Sequence, residues 1–241
     1  MMYLFSLLLV VACIGQEEPE FLPNTNDNEE EVPDSNGSSM DSLTYLALGD
    51  SYTIGESVDE SKRWPVQLVD QLNKTGEAIK SPKIIARTGW TTDELIAAIA
   101  TADLDDTYDL VSLLIGVNNQ YRGYPMDQQK REFEQLLLQA IDFAGGDTSR
   151  VFVVSIPDWG VTPFAEGRDR ELIAEQIDAY NLINYEICQT YNVQYFNITP
   201  ISREAKNDLS LIAGDGLHPS GKMYSQWVEL IQPWTKEILA Q

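Results

Sequence analysis

The 241-residue chain predicts an α/β fold: a three-layer α/β/α sandwich on a five-stranded parallel sheet. Three observations carry this. Short apolar runs alternate with segments of helical period, the pattern of βαβ units. The runs "YDLVSLLIG" and "RVFVVSIP" are almost continuously apolar, as strands covered on both faces are. At 43% hydrophobic residues, the chain is long enough for one sizeable core with a tail.

The chain opens with "MMYLFSLLLVVACIG", apolar from Leu4 to Val11. That run is too short to span a bilayer and suits the core of a signal peptide. "VVAC" resembles the lipobox of bacterial lipoproteins, which implies cleavage before Cys13 and a lipid on its sulfur. The absence of a positive charge ahead of the apolar core departs from that pattern. Next comes "QEEPEFLPNTNDNEEEVPDSNGSSMDS", acidic, with three prolines and few large apolar residues. Such a segment cannot bury enough surface to offset its chain entropy. The expected organisation is a signal peptide at 1–12, a lipidated Cys13 with an acidic disordered tether over 13–42, and a folded domain over 43–241. The lipid implies an anchor in a membrane of the bacterial cell envelope, periplasmic or surface-exposed.

From Leu43 the pattern is regular. "LTYLAL" reads as a strand. "RWPVQLVDQLNK" has helical period, with Trp64, Leu68, Val69 and Leu72 on one side. "KIIA" is the second strand, and "TTDELIAAIATA" a helix with Thr92 as N-cap. "YDLVSLLIG" is a buried strand, "DQQKREFEQLLLQAIDFA" a helix, and "RVFVVSIP" a buried strand. "RELIAEQIDAYNLINYEICQTY" is a long helix whose apolar stripe includes Ile173, Ile177, Tyr180, Ile187 and Cys188. That makes Cys188 a core thiol, and with Cys13 lipidated no disulfide framework exists. "VQYFNI" is the last strand, and a final helix is expected from Pro219, a residue suited to a first helical turn.

The formal net charge of −22 argues against nucleic acid as a partner, because binding phosphates needs clustered Lys and Arg. From Met1 to Ser61 there is neither.

In open α/β sheets, ligands sit outside the carboxyl ends of the strands. The first strand is followed by Gly49, Asp50 and Ser51, the second by Thr88, Gly89 and Trp90. The third is followed by Gly116, Val117, Asn118 and Asn119, the fourth by Pro157, Asp158 and Trp159. Beyond the fifth lies "DGLHPS", with Asp215 and His218. A Gly-Asp-Ser alone is an ordinary turn after a strand. The convergence of a Ser, a Gly, an Asn and an Asp-x-x-His on one rim is far more specific. His218 is the only histidine, so a Ser51 activated by imidazole has one candidate base. Three residues earlier, Asp215 is spaced to fold back onto Nδ1–H and stabilise the imidazolium.

On these residues the chain resembles the SGNH (GDSL) hydrolase superfamily, especially its lysophospholipase/thioesterase-like branch. "GDSYTIG" matches the first block, Gly89 in "ARTGWTT" the second, Asn118 in "GVNN" the third, and Asp215 with His218 in "DGLHPS" the fifth. The similarity runs from Leu43 to Leu239. It implies a flavodoxin-like sheet and a serine esterase that forms an acyl-enzyme. Ser51 is then the nucleophile, His218 the base and Asp215 its orienter. The Ser51 and Gly89 N–H groups and the Asn118 amide would form the oxyanion hole. The family's third block usually ends in Asp, and here Asn119 changes a supporting hydrogen bond or the local charge. Asp50 is expected to support the Ser51 loop by accepting backbone N–H bonds. Trp90, Tyr121, Arg122, Tyr124 and Trp159 stand on rim loops as possible pocket residues, with Arg122 able to meet an anionic or sugar group. No metal and no cofactor are implied. The expected substrate is an ester, either lipid (a lysophospholipid or thioester) or acylated carbohydrate. The alternative is a non-catalytic carbohydrate- or lipid-binding module on the same fold. A nucleotide binder of the same topology is disfavoured, because no phosphate-cradling glycine cluster follows the first strand.

Overall fold

The computed structural model describes residues 42–240. The expected signal peptide, the lipidation of Cys13 and all but the last residue of the expected tether lie outside the described residues. In chain order the elements are β1 (Tyr45–Gly49), α1 (Ser51–Ile54), α2 (Trp64–Lys74), β2 (Lys83–Ala86), α3 (Thr92–Ile99), β3 (Leu110–Leu114), α4 (Val117–Arg122), α5 (Met126–Phe143), β4 (Val151–Val154), α6 (Arg170–Thr190), β5 (Gln194–Phe196), α7 (Thr199–Arg203) and α8 (Gly221–Leu239). Short 3-10 turns fill several connections. No described helix is long and apolar enough to cross a membrane.

All five strands are parallel, in the order β2-β1-β3-β4-β5. This is the predicted sheet. Side-chain alternation divides its core in two. Tyr45, Ala47, Leu110, Leu114, Phe152 and Val154 pack with Trp64, Leu68 and Leu72 of α2 and Tyr224 and Trp227 of α8. Leu46, Leu48, Val111, Leu113, Val151 and Val153 pack with Leu95 of α3 and Phe133, Leu136 and Leu137 of α5. The long α6 serves both clusters: Ile173, Ile177 and Tyr180 join the first, Ile187 and the buried free thiol of Cys188 the second. Winding reverses at β1, so the carboxyl ends of β1 and β3 form the switch point, where α1 and α4 begin.

Three local expectations need correction. The cap of α3 is Thr91 rather than Thr92: the Thr91 N–H donates to Glu94 Oε2 at 2.9 Å, while Thr92 is already helical. The last helix starts at Gly221 with Ser220 as cap, because Pro219 is held in a bridge with Ile212. Tyr121 and Arg122, expected on a rim loop, form the end of α4, which Gly123 closes in a left-handed conformation at φ 70°.

Candidate active site

Ser51 is the first residue of α1, directly after β1. A four-residue helix persists there because both ends are tied. Asp50 Oδ1 accepts the Tyr52 N–H at 3.0 Å, and the Asp50 carbonyl accepts the N–H groups of Thr53 and Ile54. Gly55, at φ 69°, ends the helix. Gly49 lets α1 turn so tightly. A Cβ there would lie 2.2 Å from Thr53 Oγ1 and 2.6 Å from the Leu114 carbonyl oxygen. As the first N–H of the helix, that of Ser51 has no intrahelical partner. Ser51 is buried but for 4% of its surface.

Asp50 thus ties the turn through both its carboxylate and its carbonyl. It is completely buried, and its Oδ2 has no hydrogen-bond partner. Burial pushes its carboxyl up to about 7, against a smaller opposing effect of the backbone N–H bonds it accepts.

The second half of the site comes from the loop before α8. The Ala213 N–H donates to the His218 carbonyl at 2.7 Å, and the Ser220 N–H to the Leu211 carbonyl at 2.8 Å, closing the loop. Within it, Asp215 Oδ1 accepts the N–H groups of Leu217 and His218 at 2.9 and 3.0 Å. Its Oδ2 accepts Nδ1–H of His218 at 2.6 Å and the Ser57 hydroxyl at 2.8 Å. Partial burial raises the Asp215 pKa, but the hydrogen bonds from His218, Leu217 and Ser57 outweigh it and hold the carboxyl at about 2. A carboxylate only accepts, so Nδ1 carries the proton and Nε2 is left with its lone pair. The Tyr52 ring meets the imidazole edge-on at 5.6 Å.

Ser51 and His218 line one cavity of about 130 Å³ together with Tyr52, Val117, Asn118 and Leu217; Tyr121, Trp159 and Phe164 form the rest of its wall. No hydrogen bond joins Ser51 Oγ to the imidazole here, and in ligand-free hydrolases such bonds are often long. A larger groove beside β5, lined by Asp178, Tyr185, Tyr195 and Arg203 among others, holds neither Ser51 nor His218.

Asn118 follows β3 in α4, and its Nδ2 donates to the Trp90 carbonyl at 2.9 Å, which leaves one amide N–H for a ligand. Gly89 stands one residue before that carbonyl. An added Cβ at 89 would meet only Arg122 Nη2, at 3.7 Å, so the backbone, at φ 88°, rather than space is what requires glycine. Asn119 is fully buried and faces α3: its Oδ1 accepts the Thr92 N–H at 3.0 Å and its Nδ2 donates to Thr92 Oγ1 at 2.6 Å. Thr92 Oγ1 in turn donates to Glu132 Oε2.

Three expected pocket residues are elsewhere. The Trp90 ring packs on the β3–α5 side of the core, and only its carbonyl reaches the site. Arg122 is spent on structure. Its Nη2 donates to the Gly89 carbonyl at 2.6 Å, and its Nη1 lies 3.4 Å from Glu94 Oε2. Tyr124 contributes its carbonyl to the Tyr180 hydroxyl. Tyr121 and Trp159 do line the cavity, and Gln120 Oε1 fixes the Trp159 ring through Nε1–H at 2.8 Å. Phe164, Leu217 and Ser57 were not expected. No spacing rule marks them, because each arrives from a separate irregular segment. Among the described residues no group of His, Cys, Asp and Glu is arranged to hold a metal.

The arrangement offers a serine hydroxyl, a carboxylate-oriented imidazole and amide donors at one small cleft, the components of acyl transfer. A sequence model of the GDSL-like lipase/acylhydrolase family matches residues 47–226. No curated protein sequence matches the chain. Among solved structures, TesA is similar with a TM-score of 0.61 and 18% identity, over 81% of this chain and 99% of that one. The psychrotrophic esterase EstA from Pseudoalteromonas sp. matches with a TM-score of 0.61 and 16% identity, over 83% and 100%. Axe2, an acetylxylan esterase from Geobacillus stearothermophilus, matches with a TM-score of 0.60 and 17% identity, over 83% and 94%.

Proposed function

The chain belongs to the GDSL-like lipase/acylhydrolase family and is a carboxylic ester hydrolase, and from that premise we propose that Ser51, His218 and Asp215 cleave short-chain acyl esters through an acyl-enzyme. The observation that carries this is the Asp215–His218 pair, closed at 2.6 Å, with the buried His218 on the wall of the cavity that also contains Ser51.

Nε2 of His218 takes the Ser51 proton as Oγ attacks the ester carbonyl. The tetrahedral oxyanion is held by the N–H groups of Ser51 and Gly89 and by the free Asn118 amide N–H. As the C–O bond to the alcohol breaks, His218 returns the proton to the leaving oxygen. Water, deprotonated by the same imidazole, then attacks the acyl-Ser51 carbonyl and releases the acid. Asp215 stays ionised and stabilises the imidazolium.

The size of the cavity supports a short acyl chain. At about 130 Å³ it is well below the roughly 300–1,000 Å³ of pockets that enclose a whole drug-sized ligand. It takes in a short acyl group, and the alcohol stays at the aromatic mouth. That supports an acylated carbohydrate over a long-chain lysophospholipid or thioester, which is the second reading because the mouth is itself apolar. Lipid anchoring through Cys13 at a bacterial envelope completes the proposal.

The test is hydrolysis of p-nitrophenyl acetate and octanoate by the purified chain and by Ser51→Ala. We expect acetate to be preferred and the variant to lose about 10³-fold or more in kcat while keeping its thermal transition. Unchanged turnover in a folded Ser51→Ala would reject Ser51 as nucleophile. No turnover of any ester by the folded wild type would bring forward a non-catalytic binding module.

A further inference from the structure

Three rings of the cavity wall, Tyr121, Trp159 and Phe164, also hold a cation. The Arg168 guanidinium carbon lies 5.2 Å from the Tyr121 centroid and 5.4 Å from those of Trp159 and Phe164. Its Nη2 donates to the Tyr121 hydroxyl at 3.1 Å. The backbone that presents it is set on both sides. The Arg168 N–H closes a turn onto the Ala165 carbonyl at 3.1 Å, and Asp169 caps α6 immediately after.

What sets Arg168 apart is that it stands against three rings of the cavity wall without a carboxylate partner, as Arg63, Arg87, Arg131 and Arg170, likewise without one, do not. The chain has 38 acidic residues against 16 basic ones. Arg122, Arg150 and Arg203 each lie within ion-pair distance of a carboxylate. Among the described residues Arg168 has no such partner. The three rings hold the guanidinium at cation–π distance, a contact that does not use up its N–H donors. Among the described residues only one of its five N–H donors has a partner, and a planar fork of this kind matches carboxylate and phosphate oxygens two at a time.

We propose that Arg168 is a specificity-determining residue that selects esters carrying an anionic group, a carboxylate or a phosphate, on the part of the substrate that remains outside the cavity. This rests on the esterase assignment and names its substrate class. The ester carbonyl enters past the three rings to Ser51, and the anionic group pairs with the guanidinium that the same rings hold. Arg122, the arginine that the sequence singles out for such a group, is committed to the Gly89 carbonyl. In a protein of net charge −22, a fixed cation at the mouth also gives an anionic substrate a local point of attraction.

Two pairs of substrates test this and separate the two sources of the anion. One is O-acetylated methyl glucuronide against O-acetylated methyl glucoside, and the other is lysophosphatidic acid against monoacylglycerol. The intact chain, Arg168→Gln and Arg168→Lys are compared by kcat/KM at low salt and at roughly tenfold higher salt. We expect the anionic member of at least one pair to be favoured about tenfold, mainly through KM, and less so at high salt. The pair that shows it identifies the source. Arg168→Gln should bring that ratio to about one, and Arg168→Lys should keep part of it. Ratios near one in the wild type, or a ratio unchanged in Arg168→Gln, overturn the proposal. So does a fall in Arg168→Gln that is equal for anionic and neutral esters, which would make Arg168 a packing residue of the aromatic wall. Those results leave Ser51-dependent turnover of neutral esters standing. Loss of both together would come only from failure of the esterase assignment.

Discussion

Asn119 shows how one atom sets the direction of a buried hydrogen-bond chain. Its amide donates to Thr92 Oγ1, which frees the threonine proton for Glu132. With a carboxylate at 119, the single Thr92 hydroxyl proton would have two acceptors, and one carboxylate oxygen would be left without a donor. We therefore expect Asn119→Asp to destabilise by about 1–3 kcal/mol. The new buried carboxyl would have a raised pKa, so the loss should be small at acidic pH and grow as pH rises. Thermal melts at pH 5 and pH 8 check the sign, and adding Glu132→Gln should recover part of the loss. A uniform drop at both pH values would contradict the account. Residue-scale roles were only partly legible. Asp215 and His218 stood out because they are three apart and His218 is unique, and their contact is local. Arg122 was singled out and Arg168 was not, since what commits the one and places the other are hydrogen bonds to Gly89, 33 positions away, and to Tyr121, 47 away.

At the scale of elements, Gly49 decides whether α1 can follow β1 at all. The space that its missing Cβ leaves is filled by Thr53 and by the Leu114 carbonyl of β3, and neither can retreat without opening the helix or the sheet. Gly49→Ala is expected to cost about 1–3 kcal/mol or more and to lower activity, because Ser51 would shift with α1. Urea unfolding together with p-nitrophenyl acetate turnover reads both. A variant of wild-type stability would show that the turn is looser than its geometry. Strands and long helices were legible because their periods repeat within a window. Thr91 took the cap instead of Thr92 because Asn119, a residue from another element, occupies the Thr92 N–H. Helices of four to six residues, α1 and α4, are too short for a period and are held by caps and tertiary contacts.

At the scale of the whole molecule, two carboxyls bend stability with pH in opposite directions. Asp50 keeps its proton in the folded protein up to about 7, above its unfolded value. Its contribution is therefore fully present below about pH 4 and is lost as pH rises to about 7, with a slope of up to about 1.4 kcal/mol per pH unit. Asp215, held at about 2, contributes stability that is present above about pH 4 and lost as pH falls toward 2. Asp50→Asn keeps the acceptor for the Tyr52 N–H and removes the ionisation. It should flatten the decline in Tm between pH 5 and pH 8. A decline as steep as in the wild type would place its origin elsewhere.

The sequence by itself determined the layered α/β architecture, the order of its strands and helices along the chain, the family and the rim on which the candidate site residues collect. Hydrophobic period and strand ends are local properties, and a parallel sheet brings its carboxyl ends to one edge whatever the loops do. Only the tertiary structure decided which rim side chains face the cleft. It put Phe164 and Leu217 there, turned the Trp90 ring into the core, committed Arg122 to the Gly89 carbonyl and left Arg168 unpaired over three rings. Each of those outcomes depends on distances between segments far apart in the chain, which no window of neighbouring residues contains.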